Sequence, residues 1–517
     1  MTLSLDGRRL YVAVAACAVV VYLGALWNRF AFDDVTLIAL NPLVHSASGI
    51  WQAFGEPYWP GNFSGAMYRP LSVATFTVDW IAGGGGPAGF HAVNIVVHAA
   101  ASVAVAMLAR RWSGDRAALF AGLVFAVHPV HVEAVANIVG RNELLAALFA
   151  LLAVYAAVVR GSVWLTAAAM AGGVLSKENA AVAPALIVAA WAAGLSPWPA
   201  RRRLIAFGAS WVVVGIAYAA VRWVVLHPYQ GFSALAPQFL GQSPVAVRLT
   251  AIGALSDVAR LLLFPAHLQA DYSPNERVTI ATPANALFVA GLCCAAVWVA
   301  LIVLEWRRGR RVEAYGLTFV AIAYLPVANL LFPHQVVVAE RLLYLPSAGL
   351  AIALGAWVAR LQTRLFAAAT ALVMLAGGTR SALRVPVWRD NRSATLSLIE
   401  DAPNSYRTWD YAGWEFLWAN QPRRALEAFE RAGAIYGIDA RVYVAAAHMA
   451  YVLGSPSHAD SLLARADSAC PHCPTMYRNQ AGAARIRGDT LAARMLLLHA
   501  ERVALPVPSS VPHSSRF

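Results

Sequence analysis

Asp33 and Asp34 follow an apolar run that ends at Trp27, in the stretch Asn28-Arg29-Phe30-Ala31-Phe32-Asp33-Asp34. Carboxylates are costly to place at a membrane boundary. A partly desolvated one has its pKa raised toward the range in which it takes a proton from a hydroxyl. Asp33 is therefore the candidate general base. Two adjacent acids cannot both point at one atom, so Asp34 is a candidate for holding the acceptor or a divalent cation. The complementary charges are Arg341, Arg69 and Lys177. The planar guanidinium of Arg341 suits a pair of phosphate oxygens, and a cation there stabilises charge on a departing phosphate. Tyr344 follows one turn on and is expected to share its face. Arg69, in Tyr68-Arg69-Pro70, offers a second phosphate contact or a structural ion pair. Lys177 is the single lysine among 40 basic residues. In a chain that otherwise uses arginine, a retained ammonium points to pairing with Glu178 or with lipid phosphate.

His128, His131 and Glu133 lie in His128-Pro129-Val130-His131-Val132-Glu133. Two histidines at i, i+3 share a helical face, but Pro129 interrupts the helix and a clear third ligand is missing. They read, with Glu178, as acceptor-binding or supporting groups rather than as metal ligands. No cofactor is certain, and a divalent cation stays open. His91, Asn94 and His98 form one stripe on a membrane helix and read as internal polar packing. Cys470-Pro471-His472-Cys473 reads as a disulfide in a turn. Cys17, Cys293 and Cys294 lie in apolar runs and read as packing residues.

These residues need elements to carry them. Of 517 residues, 59% are hydrophobic and 13% charged, which excludes a soluble domain of this size and fixes a polytopic membrane protein. The net charge of +13 then marks cytoplasmic loops rather than a nucleic-acid partner. Apolar stretches long enough for a bilayer recur near 10–27, 90–109, 117–135, 143–159, 162–176, 179–195, 204–225, 284–304, 313–331, 346–360 and 364–379, about eleven in all. The first is a span rather than a cleaved signal. Arg8/Arg9, Arg110/Arg111/Arg116, Arg160, Arg201 to Arg203, Arg307 to Arg311 and Arg360/Arg364 fall in alternate loops, as inside loops do. The N-terminus is thus expected in the cytoplasm. Residues 245–264 carry Arg248, Asp257 and Arg260 and read as an interfacial or re-entrant helix. The outer side then receives the loops 28–89, 226–283 and 332–345, with His128–Arg141 and Lys177.

Beyond residue 380 a period of 34 appears. Ala425, Ala459 and Ala493 repeat, as do Phe429, Leu463 and Leu497, and Ala432, Ala466 and Ala500. Asn420, Gly454 and Gly488, and Trp409, Tyr443 and Tyr477, keep the same spacing. This is the tetratricopeptide pattern, a helix pair that buries its face on the next. About three repeats are expected over 381–517, outside the cell, with a concave binding face lined around Trp409, Tyr443 and Tyr477.

Six motifs occur in order: Phe32-Asp33-Asp34; Tyr68-Arg69-Pro70-Leu71; Phe90-His91 with Asn94 and His98; His128-Pro129-Val130-His131 with Glu133; Leu175-Ser176-Lys177-Glu178; and Glu340-Arg341-Leu342-Leu343-Tyr344-Leu345-Pro346-Ser347. Val387-Trp388-Arg389-Asp390 and the repeats follow. Together they resemble the transmembrane and tetratricopeptide-repeat O-mannosyltransferase family, in a bacterial-looking version. The resemblance implies an all-α chain with a GT-C membrane domain over 1–380 and an α-solenoid after it. It implies a glycosyltransferase that moves mannose or a similar sugar from a polyprenyl-phosphate carrier to a hydroxyl, on protein Ser/Thr, outside the cytosol. The expected partners are that lipid-linked sugar, a protein or glycan acceptor held by the repeats, and membrane lipid, in a bacterial inner membrane. The alternatives are a glycan or lipid-linked acceptor, a transporter or flippase, and an inactive assembly scaffold.

Overall fold

A computed structural model describes residues 7–60, 67–229, 235–470, 474–486 and 488–504, and among them there are helices and turns but no strand. The chain divides into two compact units. One comprises Met1–Ala270 with Thr279–Ala394, the other Asp271–Val278 with Thr395–Phe517.

The first unit is a membrane helix bundle. Each of the eleven apolar stretches contains a helix. Seven helices among the described residues are long and apolar enough to cross a bilayer. One of these, Pro87–Val127, turns at Gly114, whose φ of 81° is left-handed, and so carries two of the stretches. Val163–Ser176, Glu178–Ala192 and Arg311–Tyr324 are shorter. Residues 245–264 form two helices, Pro244–Gly253 and Leu255–Leu263. At 1.5 Å per residue each is roughly 15 Å long, about half a hydrocarbon core. Neither crosses alone, and Arg248 and Arg260 end on the carbonyls of Leu331 and His267.

The bundle is held by small residues at its crossings. A Cβ on Gly316 would lie 2.5 Å from the carbonyl of Gly349, and one on Gly349 would lie 2.5 Å from that of Gly316. Two helices can come this close only with glycine at both positions. By contrast, Arg201–Leu226 and Ala286–Arg307 are apolar yet exposed nearly all round, as helices facing lipid are. The arginine-bearing loops meet at one end of the bundle. Arg116 reaches the carbonyl of Leu361 at 2.9 Å, Arg360 pairs with Glu313, and Glu305 takes Arg308, Arg310 and the Trp357 indole.

The second unit contains three helix pairs: Tyr406–Trp418 with Pro422–Ile435, Ala440–Val452 with Pro456–Ala469, and Pro474–Ile486 with Thr490–Ala504. The small positions at period 34 are all buried. Asn420, Gly454 and Gly488 end the first helix of each pair with φ of 56°, 74° and 78°, the left-handed stop that glycine and asparagine tolerate. Asp271–Val278 joins this unit. Asp271 accepts from the Ser405 hydroxyl at 2.5 Å and faces Arg407 at 3.5 Å, while the Tyr406 N–H donates to the carbonyl of Pro274 at 2.6 Å. One expectation changes. Tyr443 does not line an open face: it is 7% exposed and its hydroxyl donates to the carbonyl of Gly433. Trp409 donates to the carbonyl of Pro403 and is covered by Arg431. Packing between helices uses these rings. Cys470 is disulfide-bonded; Cys473 lies outside the described residues.

Candidate active site

The first loop explains how two adjacent acids part company. Phe32 has a φ of 48°, a left-handed conformation that bulky residues avoid. It is held there from far along the chain. The Phe32 N–H donates to Asn391 Oδ1 at 2.6 Å, its ring meets Trp388 edge-on, and the neighbouring Arg29 N–H donates to the carbonyl of Arg389 at 2.7 Å. Beyond this turn Asp34 is buried, and accepts from the N–H groups of Ala31 at 3.1 Å and Val139 at 2.9 Å. Burial pushes its pKa up to about 7 against those two donors. Asp34 thus anchors the loop to the segment before Arg141 and is not among the residues that line the neighbouring cavity. Asp33 is exposed and lines a polar cavity of about 110 Å³.

The same cavity is lined by Arg69, Lys177 and Arg341. Arg69 precedes Pro70, which starts the helix Pro70–Gly83. Lys177 ends the helix Val163–Ser176. Arg341 sits in the 3-10 turn Glu340–Leu343. Each cation is held by one carboxylate from another segment. Arg69 has Nε and Nη2 both 3.3 Å from Glu178. Lys177 pairs with Glu143, not with the adjacent Glu178 as its sequence position suggested. Arg341 pairs with Glu133, which also accepts the Arg341 backbone N–H at 2.8 Å. Glu340, next to Arg341, instead accepts the N–H of Gln269 at 2.5 Å and ties down the 226–283 loop. A guanidinium carries five donors, so Arg341 can keep Glu133 and still meet a phosphate. Burial pushes the Lys177 ammonium down to about 8, with Glu143 opposing the shift.

Three expected site residues lie elsewhere. Tyr344 is fully buried, bonds His98 Nδ1 at 2.7 Å and packs against Phe125 and His131, away from the cavity that Arg341 lines. His131 bonds the Ser347 hydroxyl at 2.7 Å and packs against Phe125 and Tyr344. His128 bonds the carbonyl of Leu262 at 3.0 Å. His91, Asn94 and His98 are buried, and Asn94 bonds Arg141, which also pairs with Asp79. Among the described residues no group of three or more His, Cys, Asp or Glu side chains is placed to hold a metal ion. Two acids, Asp33 and Glu143, line the cavity among the three cations.

Sequence reasoning missed Glu143, Asn137, Asn142, His334 and Asn391. The first carried a signal: Arg141-Asn142-Glu143 opens an apolar helix with polar residues, all of them buried.

No family model matches the chain. Mouse protein O-mannosyl-transferase TMTC3 is 26% identical over 468 residues, covering 81% of this chain and 50% of the mouse protein. Human protein O-mannosyl-transferase TMTC4 is 29% identical, covering 76% of this chain and 62% of its own length. The chain resembles these O-mannosyl-transferases. In Drosophila melanogaster, protein O-mannosyl-transferase Tmtc1 is 37% identical over 181 residues, or 33% of this chain. The chain spans 50 to 62% of the length of the first curated relatives it matches. Among solved structures, ArnT from Cupriavidus metallidurans bound to undecaprenyl phosphate aligns over 95% of this chain and 77% of its own, with TM-score 0.42 and 14% identity. Archaeal oligosaccharyltransferase AglB from Archaeoglobus fulgidus, in complex with an inhibitory peptide and a dolichol-phosphate, covers 77% of this chain and 58% of its own at TM-score 0.39 and 14% identity.

Proposed function

We propose that this membrane protein is a GT-C glycosyltransferase that moves mannose or a similar sugar from a polyprenyl-phosphate carrier to a Ser or Thr hydroxyl. The observation that carries this reading is the cavity in which the Asp33 carboxylate faces Arg69, Lys177 and Arg341. Asp33 takes the proton of the acceptor hydroxyl as its oxygen bonds the anomeric carbon. The bond from that carbon to phosphate oxygen breaks, and the electron pair leaves with the polyprenyl phosphate. The cations stabilise the charge that develops on it.

The site is extracytoplasmic in this reading, opposite the arginine-bearing end of the bundle. In this reading the repeats share that side, as the alternation of the arginine-bearing loops implies. Their role is to hold a polypeptide acceptor. A cysteine at exposed Ser457 should label in intact cells, in a background lacking Cys17, Cys293 and Cys294; protection of that site would remove the repeats from the outer face.

The direct test is transfer. The purified full chain is given radiolabelled undecaprenyl phosphate mannose and a Ser/Thr-rich peptide. Label should enter the peptide at hydroxyls. A preparation that binds the lipid but labels no hydroxyl acceptor would overturn the proposal.

A further inference from the structure

The wall of the cavity between Asn137 and Asn142, with His334 facing the same space, has no assigned ligand. Asn137 is 8% exposed and Asn142 5%. Asn137 Oδ1, Asn142 Oδ1 and His334 Nδ1 are all buried without a hydrogen-bond partner. Such orphaned atoms are rare in folded proteins and costly to keep. The three residues that carry them line one cavity, which points to a common cause.

Their surroundings are fixed. The Asn142 amide nitrogen donates to the Tyr58 hydroxyl at 2.8 Å and to the carbonyl of Val139 at 2.9 Å. Its carbonyl oxygen is what remains. Turning the amide over would orphan a different atom of the same group. The backbone carbonyl of Asn137 takes the Asn94 amide at 3.2 Å and the Gly140 N–H at 3.1 Å, so the residue is held while its side-chain oxygen is not used. The backbone of His334 is held likewise, by Asn329 Oδ1 and the Ala236 N–H.

We propose that Asn137, Asn142 and His334 recognise the hydroxyl groups of the transferred sugar, a hexopyranose, on the lipid donor. This rests on the transferase reading above and adds the sugar subsite to it. The chemistry selects among ligands. An amide oxygen only accepts, and a phosphodiester has no proton to give, so the phosphate is left to the three cations. A hexopyranose offers several hydroxyl donors in a small volume. The half-buried Trp59 and buried Tyr58 supply aromatic surface beside them. A site that holds hydroxyls this way also discriminates, because a sugar lacking the matching hydroxyl leaves a buried acceptor unpaired.

The test is equilibrium binding to the full chain in nanodiscs. The probes are undecaprenyl phosphate carrying mannose, glucose or galactose, and bare undecaprenyl phosphate. Wild type should bind one glycosyl lipid more tightly than the bare lipid. Asn137→Ala and Asn142→Ala should each weaken that binding about three- to tenfold, the range for one lost neutral hydrogen bond. Bare-lipid affinity should stay within twofold, which also reports an intact fold. Asn142→Ala frees Tyr58 as well, so Asn137→Ala, whose side chain is not tied to the scaffold, is the decisive variant. Equal losses for both kinds of lipid in Asn137→Ala, or no loss for either, would overturn the proposal. So would a raised peptide KM with unchanged donor affinity, which assigns the wall to the acceptor. Wild type binding all four lipids equally would sink the sugar subsite alone. Wild type binding none of them would remove the donor reading and this subsite with it.

Discussion

The repeat unit and the Asp33 cavity solve opposite problems. In the repeats, each buried position is set by neighbours within one or two helices. Ala425, Ala459 and Ala493 do one job three times, and the large residue beside each fills the space the alanine leaves. At the cavity nothing repeats. The turn before Asp33 is held by Asn391, Asp34 is anchored by Val139, Lys177 is held by Glu143 and Arg341 by Glu133. Every one of these contacts joins segments far apart in the chain. The repeats place residues for burial. The cavity keeps charge in a place where burial alone would exclude it, and does so by giving each cation a carboxylate.

The sharpest way to test this division is Asp33→Asn. The side chain is exposed, so folding should survive, while kcat should fall about 10²- to 10⁴-fold, the usual worth of a general base. Near-normal turnover in the purified variant would put the base elsewhere. Next in size is Phe429→Ala in the repeats. Phe429 is fully buried against Gly413, and truncation of such a ring costs about 3–5 kcal/mol. The repeat unit should become protease-sensitive while donor binding stays within twofold; a parallel loss of donor binding would deny that the two regions work separately. Arg341→Lys should cost at least about tenfold in donor use, roughly 1.4 kcal/mol, because a point charge cannot hold Glu133 and a phosphate as a planar fork does. A donor KM and turnover within twofold of wild type would take Arg341 out of the site. The smallest effect is pH. The Lys177 ammonium, pushed down to about 8 by burial, is charged below that pH and neutral above it. Donor KM should be flat in the acid limb and rise several-fold as pH climbs through about 8. Lys177→Arg, which keeps its charge, should flatten the rise; an unchanged profile would assign it to another group.

Much of the fold could be read in advance because its signals are local. Apolar length located the bundle helices, and the period of 34 located the helix pairs down to the left-handed Asn420, Gly454 and Gly488. Asp33, Arg69, Lys177 and Arg341 could be singled out because charge beside apolar runs is conspicuous, and the structure brings all four to one cavity. Their partners could not. Glu178 is adjacent to Lys177 in sequence, yet the backbone turn there sends it to Arg69 and leaves Lys177 to Glu143. Spacing puts Tyr344 one turn from Arg341, but its ring is taken up by His98, Phe125 and His131 inside the bundle, partners that lie far away in sequence. Tyr443 was placed on a surface because a repeat was expected to present its aromatic rings, whereas here the ring closes the gap over Gly433. Asn137 is ordinary in sequence and Asn142 stands out only as part of a polar helix start; what distinguishes both is an amide oxygen left without a partner, a property of the folded chain alone.

The strap Asp271–Val278 sets a limit on how this protein can be rearranged. Its contacts with Asn404, Ser405, Tyr406 and Arg407 mean that the chain enters the repeat unit twice. On the ribosome the strap emerges first and must wait, with Asp271 uncommitted, until the residues it binds have been made. The repeats therefore cannot be exchanged like a bead on a string. A graft of another array at Thr395 would inherit a strap shaped for a different first helix, so array and strap would have to change together.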